Sequence, residues 1–191
     1  MGKNAKRVFC LVSVFLIGAL FLSSCGCIKE TKEEPKKVFG GEKMKIPPGR
    51  KVYENKEWGI RVAYPPECQV ETERKTWKGV AFSFKDEELG DAFGISCEKI
   101  GKDFDLASYA AQHAGADKED LEDVTVGGKL GKMEKHKEYV MPGVPPDTCV
   151  WVFVVHKGRV FEFLFGGQES GPQKGIWEET GNRMLDTVEF F

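Results

Sequence analysis

The chain has 191 residues and a formal net charge of −2, enough for one domain once a leader and a linker are set aside. Lys3, Lys6 and Arg7 are the only charges in residues 1–24, so the remainder holds 25 of the 28 basic residues against all 30 acidic ones. That mildly acidic remainder argues against nucleic acid as the main partner, which calls for a basic stripe, and against electrostatic attachment to an anionic membrane surface.

Val8 to Leu22 follows the basic start as a stretch of about 15 residues that is apolar except at Ser13 and Gly18. An α-helix needs roughly 20 such residues to cross the hydrocarbon layer, which disfavours an uncleaved anchor helix. A basic end, a short apolar core and then small residues is the order of a secretory signal peptide, here residues 1–24. Leu22-Ser23-Ser24-Cys25 resembles a bacterial lipoprotein lipobox. The resemblance implies cleavage before Cys25, with a diacylglyceryl group on its sulfur. Cys27 fits less well, because Ser24-Cys25-Gly26 precedes it. Two acyl chains make a stable anchor, at about 0.8 kcal/mol per buried methylene. The implied partner is therefore the membrane, reached through lipid. The implied location is the outer face of the cell membrane, or the outer membrane where the cell has two.

Residues 25–50 read as a flexible tether. They are rich in Lys and Glu, with Pro35, Gly40-Gly41 and Pro47-Pro48-Gly49, and such composition buries too little apolar surface to order itself. A third segment, residues 51–191, reads as the folded body. Cys27, Cys68, Cys97 and Cys149 allow three pairings or none. They contain no CxxC pair and no neighbouring His, so no zinc site is expected.

In the body, Lys51 to Glu54 reads as a short strand. Trp58 to Tyr64 alternates apolar and small or charged residues, the period of a half-buried strand, and Pro65-Pro66 ends it. Val80 to Lys85 and Phe93 to Lys99 read as strands around the acidic turn Asp86 to Asp91. Leu106, Tyr109, Ala110 and His113 fall on one helical face, with Asp103 or Asp105 to cap the helix and Gly115 to stop it. Leu121 to Val126 and Leu130 to Val140 follow as strands. Cys149 to Val155 and Val160 to Phe165 are apolar on both faces, so this hairpin is expected at the centre of the sheet, covered on both sides. Glu162 is its exception, expected to point to an edge or a partner. Pro172 to Asp186 reads as a second helix, in which Gly181 permits close packing on the sheet. Thr187 to Phe191 closes as a short strand. The fold class is α+β, an antiparallel β-sheet flanked by helices.

Trp58-Gly59-Ile60-Arg61-Val62-Ala63-Tyr64-Pro65 resembles the opening strand of the PsbP-like (Mog1/PsbP) fold. The helix near Asp105, the long hairpin and the closing helix through Met184-Leu185 fall in matching order. The resemblance spans residues 51–191 and implies an α/β/α sandwich. It also implies an accessory, binding or assembly role, with no photosystem role carried over, since fold alone does not fix function.

No catalytic residue is assigned. His113 ends an apolar helical face and reads as a packed histidine, His136 as solvated among charges, and His156 as a hairpin-turn residue. No two histidines stand at i, i+4, and no G-x-S-x-G occurs. The acidic stretches Asp86-Glu87-Glu88 and Asp117 to Asp123 lack EF-hand spacing and read as solvated turns. Neither metal nor cofactor is expected. The contact candidates are Trp77, in a polar setting, and Tyr139, Met141 and Val144 in the stiff loop Tyr139 to Pro146. These give the expected function, a membrane-anchored, non-catalytic binding or assembly module with a protein partner. A carrier of a small apolar ligand held between sheet and helix, or an enzyme whose residues meet only in three dimensions, are the alternatives.

Overall fold

The computed structural model describes residues 36–41, 45–72, 79–85, 91–138, 147–168 and 175–191. The strands are β1 (Lys37–Phe39), β2 (Lys51–Asn55), β3 (Ile60–Tyr64), β4 (Cys68–Glu71), β5 (Gly79–Phe84), β6 (Asp91–Lys99), β7 (Glu122–Val126), β8 (Lys129–Glu138), β9 (Asp147–His156), β10 (Arg159–Gln168) and β11 (Glu189–Phe190). The helices are α1 (Leu106–Ala114) and α2 (Ile176–Leu185).

Two hairpins set the register. Lys157 and Gly158 have φ of 48° and 70°, and Gly127 and Gly128 have 54° and 73°. Two consecutive left-handed residues form the tight turn whose twist matches that of its strands. They join β9 to β10 and β7 to β8. The resulting eight-stranded sheet has the order β1-β7-β8-β9-β10-β6-β5-β4, antiparallel except where β1 meets β7. The β9–β10 hairpin lies at its centre, as its two apolar faces require. A separate three-stranded sheet, β11-β3-β2, was not foreseen. Its pairings bring the end of the chain back to Ile60 and Arg61. Gly59, with φ 72°, makes the approach possible: a Cβ there would stand 2.7 Å from the Phe191 carbonyl oxygen. Thr187 secures the same junction, its Oγ1 accepting from the Ala63 N–H at 2.9 Å and donating to the Met184 carbonyl at 2.8 Å.

The inner face of the small sheet (Ile60, Val62) and α2 (Met184, Leu185) pack on one face of the large sheet, against Val80, Phe82, Phe93, Val152, Phe161 and Phe163. α1 covers the other, with Ala110, Ala111 and Ala114 against Phe153. Asp105 caps α1 by accepting from the Ala107 N–H at 3.1 Å, and Gly115 ends it at φ 69°. α2 is shorter than expected, because Gly175 at φ 78° stands outside helical geometry just before it. β1 amends the expectation of a structureless tether. Residues 34–191 form one unit, and Lys37–Phe39 belongs to its sheet. Lys36 and Lys37 pair with Asp123 and Glu122, each at 3.0 Å. Exposed pairs of this kind contribute little; the weight falls on Phe39, packed against the core, and on the Gly127 N–H donating to its carbonyl at 3.0 Å.

Gly181 faces the Phe165 ring, and a Cβ there would come within 2.2 Å of it. Gly→Ala in a helix gains about 1 kcal/mol of propensity, whereas overfilling a packed contact costs typically 1–3 kcal/mol. With the ring and Cβ of the buried Phe165 to displace, the second effect wins. Gly181→Ala is expected to lower the unfolding free energy in urea by about 1–2 kcal/mol; a gain in stability would show that α2 is not held so close.

Candidate functional site

Cys25, Trp77, Tyr139, Met141 and Val144 lie outside the described residues. Within them, three places gather the polar chemistry.

The first lies beneath α1. Tyr109 and His113 stand one turn apart on that helix, and Ser96 and Glu162 occupy facing positions on β6 and β10. Glu162 is 7% exposed. Ser96 Oγ donates to its Oε2 at 2.8 Å, Tyr109 Oη donates to Oε1 at 2.7 Å, and His113 Nδ1 lies 2.9 Å from Oε1. The His113 ring stacks on Tyr109 at 3.9 Å. This corrects the expectation that Glu162 points to an edge or a partner. It sits mid-sheet, and a buried carboxylate is tolerable there because each oxygen receives a donor. His113 is likewise not simply packed; it is a half-exposed partner of that carboxylate. Burial and the bond to Glu162 push the Tyr109 hydroxyl well above the usual tyrosine range, so it remains a donor. A carboxylate at the centre of three donors has no nucleophile to activate, because a triad places the base between nucleophile and acid.

The second is on the same face, nearer the other end of β8 and β9. Glu134, 7% exposed, bonds His136 Nδ1. Trp151 lies across from Glu134 and Cys149 across from His136. His136 is therefore half-buried and partnered, not solvated as expected. His156 ends β9 against Phe190, at 5.2 Å between rings. Burial, then Lys129 and Lys157, lower its pKa. Its Nε2 is buried without a partner among the described residues.

The third is a groove of about 370 Å³ on the opposite face, between β1 and α2, lined by Val38, Phe39, Met133, Val150, Lys135 and Glu178 among others. Lys135 Nζ donates to Glu178 across it at 2.6 Å. Cys68 and Cys97 are free thiols, not paired with each other. Burial raises the Cys68 thiol to about 11 and also raises that of Cys97. No group of three His, Cys, Asp or Glu side chains suited to a metal occurs among the described residues.

Sequence reasoning passed over Ser96 and Tyr109. The signal was Glu162 itself, the one carboxylate in a strand apolar on both faces, beside a helix carrying Tyr and His at i, i+4. Truncating a partner of a charged hydrogen bond costs about 1.5–3 kcal/mol. Glu162→Leu strands three donors and is expected to cost about 2–3 kcal/mol and to raise amide exchange across α1 before the rest of the body. Equal exchange in variant and wild type would mean that the alanine face alone holds the helix.

No protein-family model matches the chain, and no curated protein matches it. Solved structures do. The solution structure of cyanobacterial PsbP (CyanoP) from Synechocystis sp. PCC 6803 superposes with a TM-score of 0.56 at 12% identity, covering 75% of this chain and 93% of that one. A crystal structure at 1.50 Å resolution from Bacteroides thetaiotaomicron VPI-5482 gives a TM-score of 0.53 at 15% identity over 75% of this chain, which spans about half (49%) of that one. At such identities the likeness speaks for the fold alone. The body from β2 to β11, with its antiparallel sheet between helices, has the PsbP-like fold.

Proposed function

We propose that the protein is a lipoprotein, tethered through Cys25 outside the cytoplasm, whose body is a non-catalytic binding or assembly module for another protein. The observation that carries the reading is the arrangement around Glu162. Serine, tyrosine and histidine, the residues from which a site is usually built, are there spent on one buried carboxylate that fastens a helix. Their chemistry serves rigidity. A rigid body that presents loops loses less entropy on binding than a mobile one, and the segment Tyr139 to Pro146, with Tyr139, Met141 and Val144, together with Trp77, is the contact surface in this reading. The acidic balance of the mature chain favours a protein partner over nucleic acid.

A second reading, the carrier of a small apolar ligand, has one observation in its favour: the groove between β1 and α2, with Phe39, Met133 and Val150 in its lining. Its volume is at the lower end for small-molecule sites.

One experiment separates these. Wild type, Cys25→Ser and a variant lacking 141–146 are captured from membranes, with radiolabelled palmitate supplied during growth. The expected result is label and membrane retention in wild type, loss of both in Cys25→Ser, and loss of a stoichiometric protein partner in the loop deletion at unchanged thermal stability. An unchanged partner set after the deletion would contradict the contact surface. An apolar compound extracted stoichiometrically from all three variants, with no protein partner, would favour the carrier.

A further inference from the structure

We propose that the outer edge of β7 is a binding site for an extended basic and aromatic segment of a partner protein, and that β1 is the resident strand which such a segment displaces. The inference shares the reading of the body as a binding module. It concerns a different surface from Trp77 and the segment Tyr139 to Pro146, and it does not need the lipid anchor.

The seat of β1 reads a sequence. β1 runs parallel to β7, with Lys37 opposite Val124, Val38 opposite Thr125 and Phe39 opposite Val126. Every position from 36 to 40 except 38 has a contact of its own. Lys36 Nζ meets Asp123 and Lys37 Nζ meets Glu122, each at 3.0 Å. Phe39 packs against the core of the α2 face, and its carbonyl accepts from the Gly127 N–H at 3.0 Å. Gly40 has φ 65° and lies hard against the end of the chain: a Cβ there would stand 2.8 Å from the Asp186 carbonyl oxygen. Val38, in contrast, is 65% exposed. The seat therefore asks for two cations, any residue, an aromatic and a glycine, in that order. In strand addition the backbone pairing supplies affinity and the side-chain contacts supply the choice of sequence.

β1 is also a replaceable occupant. It is three residues long, and its two ion pairs are half-exposed, a setting in which such pairs contribute little. Phe39 is its main hold, and Phe39 is only partly buried. The groove of about 370 Å³ opens beside that ring, with Met133 and Val150 in its lining. A larger aromatic side chain in the place of Phe39 has room there to bury more apolar surface, which is what favours the contact. Charge selects the same class of partner. Glu122 and Asp123 are adjacent carboxylates; Lys132 holds Asp123 from the other side at 2.7 Å, and Glu122 meets its cation from β1. A bare strand edge is a template for pairing with any chain. A weakly held resident therefore guards the edge until a segment of better fit arrives.

The test is fluorescence anisotropy of a labelled synthetic peptide of sequence 34–41, titrated with the full mature chain. In wild type the tethered β1 competes at the high effective concentration of a linked segment, so the apparent Kd is raised by the fraction of chains whose seat is covered. Gly40→Val puts a side chain against the Asp186 carbonyl and unseats β1; the apparent Kd is expected to fall about tenfold or more. Phe39→Ala, a second way to unseat it, is expected to act in the same direction while circular dichroism remains native. Toward the unseated chain, a peptide with Trp in place of Phe is expected to bind about threefold tighter. A peptide with Glu in place of both Lys is expected to bind at least about threefold more weakly at low ionic strength. Equal affinity in wild type and both unseated variants, or no binding to natively folded variants, would overturn the proposal. So would dimerisation of the unseated chains in place of peptide binding, which would give the seat to a second copy. None of these results depends on the segment 141–146, so the loop surface and the β7 edge fail separately.

Discussion

Ten residue pairs join β9 to β10 in one unbroken antiparallel register, and the rest of the fold exists to cover that hairpin. Val152, Phe153, Val154, Val160, Phe161 and Phe163 are all fully buried. Each such side chain contributes roughly 1.5–3 kcal/mol when removed from water, but only if something lies over both faces. The small sheet and α2 supply one lid, and α1 supplies the other. The covers differ in kind. The first lies on a dense aromatic face, where Phe82, Phe163 and Phe165 each meet Phe93 and where Tyr53 and Tyr64 of the small sheet meet Phe82. The second is a short alanine-faced helix with little to bury, fastened instead through a carboxylate.

That difference separates the two sides of the body. A helix held by alanines and one polar clamp is the part of the body most readily modulated, whereas the aromatic side is a scaffold. The polar residues of the α1 face divide accordingly. Glu162 gathers donors inward and stabilises the fold. Glu134 and His136 bond each other further along the same face.

Much of this was legible before any coordinates. The hairpin at the centre, the capping of α1 by Asp103 or Asp105, its stop at Gly115 and the close approach at Gly181 follow from local rules of period, cap and turn. What was not legible depended on distant partners. β4 is four residues after a double proline, too short to show a period. β1 is three residues in charged surroundings; its order comes from β7, some 85 positions on. The separation of β2, β3 and β11 into their own sheet is likewise decided by pairing across the whole domain. For the polar sites, Glu162 was visible as an anomaly. Its partners were not, because that required placing α1 over β10. His136 looked solvated among lysines, since the alternation that turns it toward Glu134 also turns its neighbour Lys135 away.

The account rests on a central hairpin that opens only when the whole body does, under covers that come away at lower cost. Native-state hydrogen exchange measures this directly. The amides of Val152 to Val154 and Phe161 to Phe163 are predicted to exchange only by global unfolding, with a free energy equal to that from urea denaturation, while those of α1 exchange at lower free energy. If α1 amides were as protected as the hairpin, or if the hairpin opened first, that hierarchy would be contradicted.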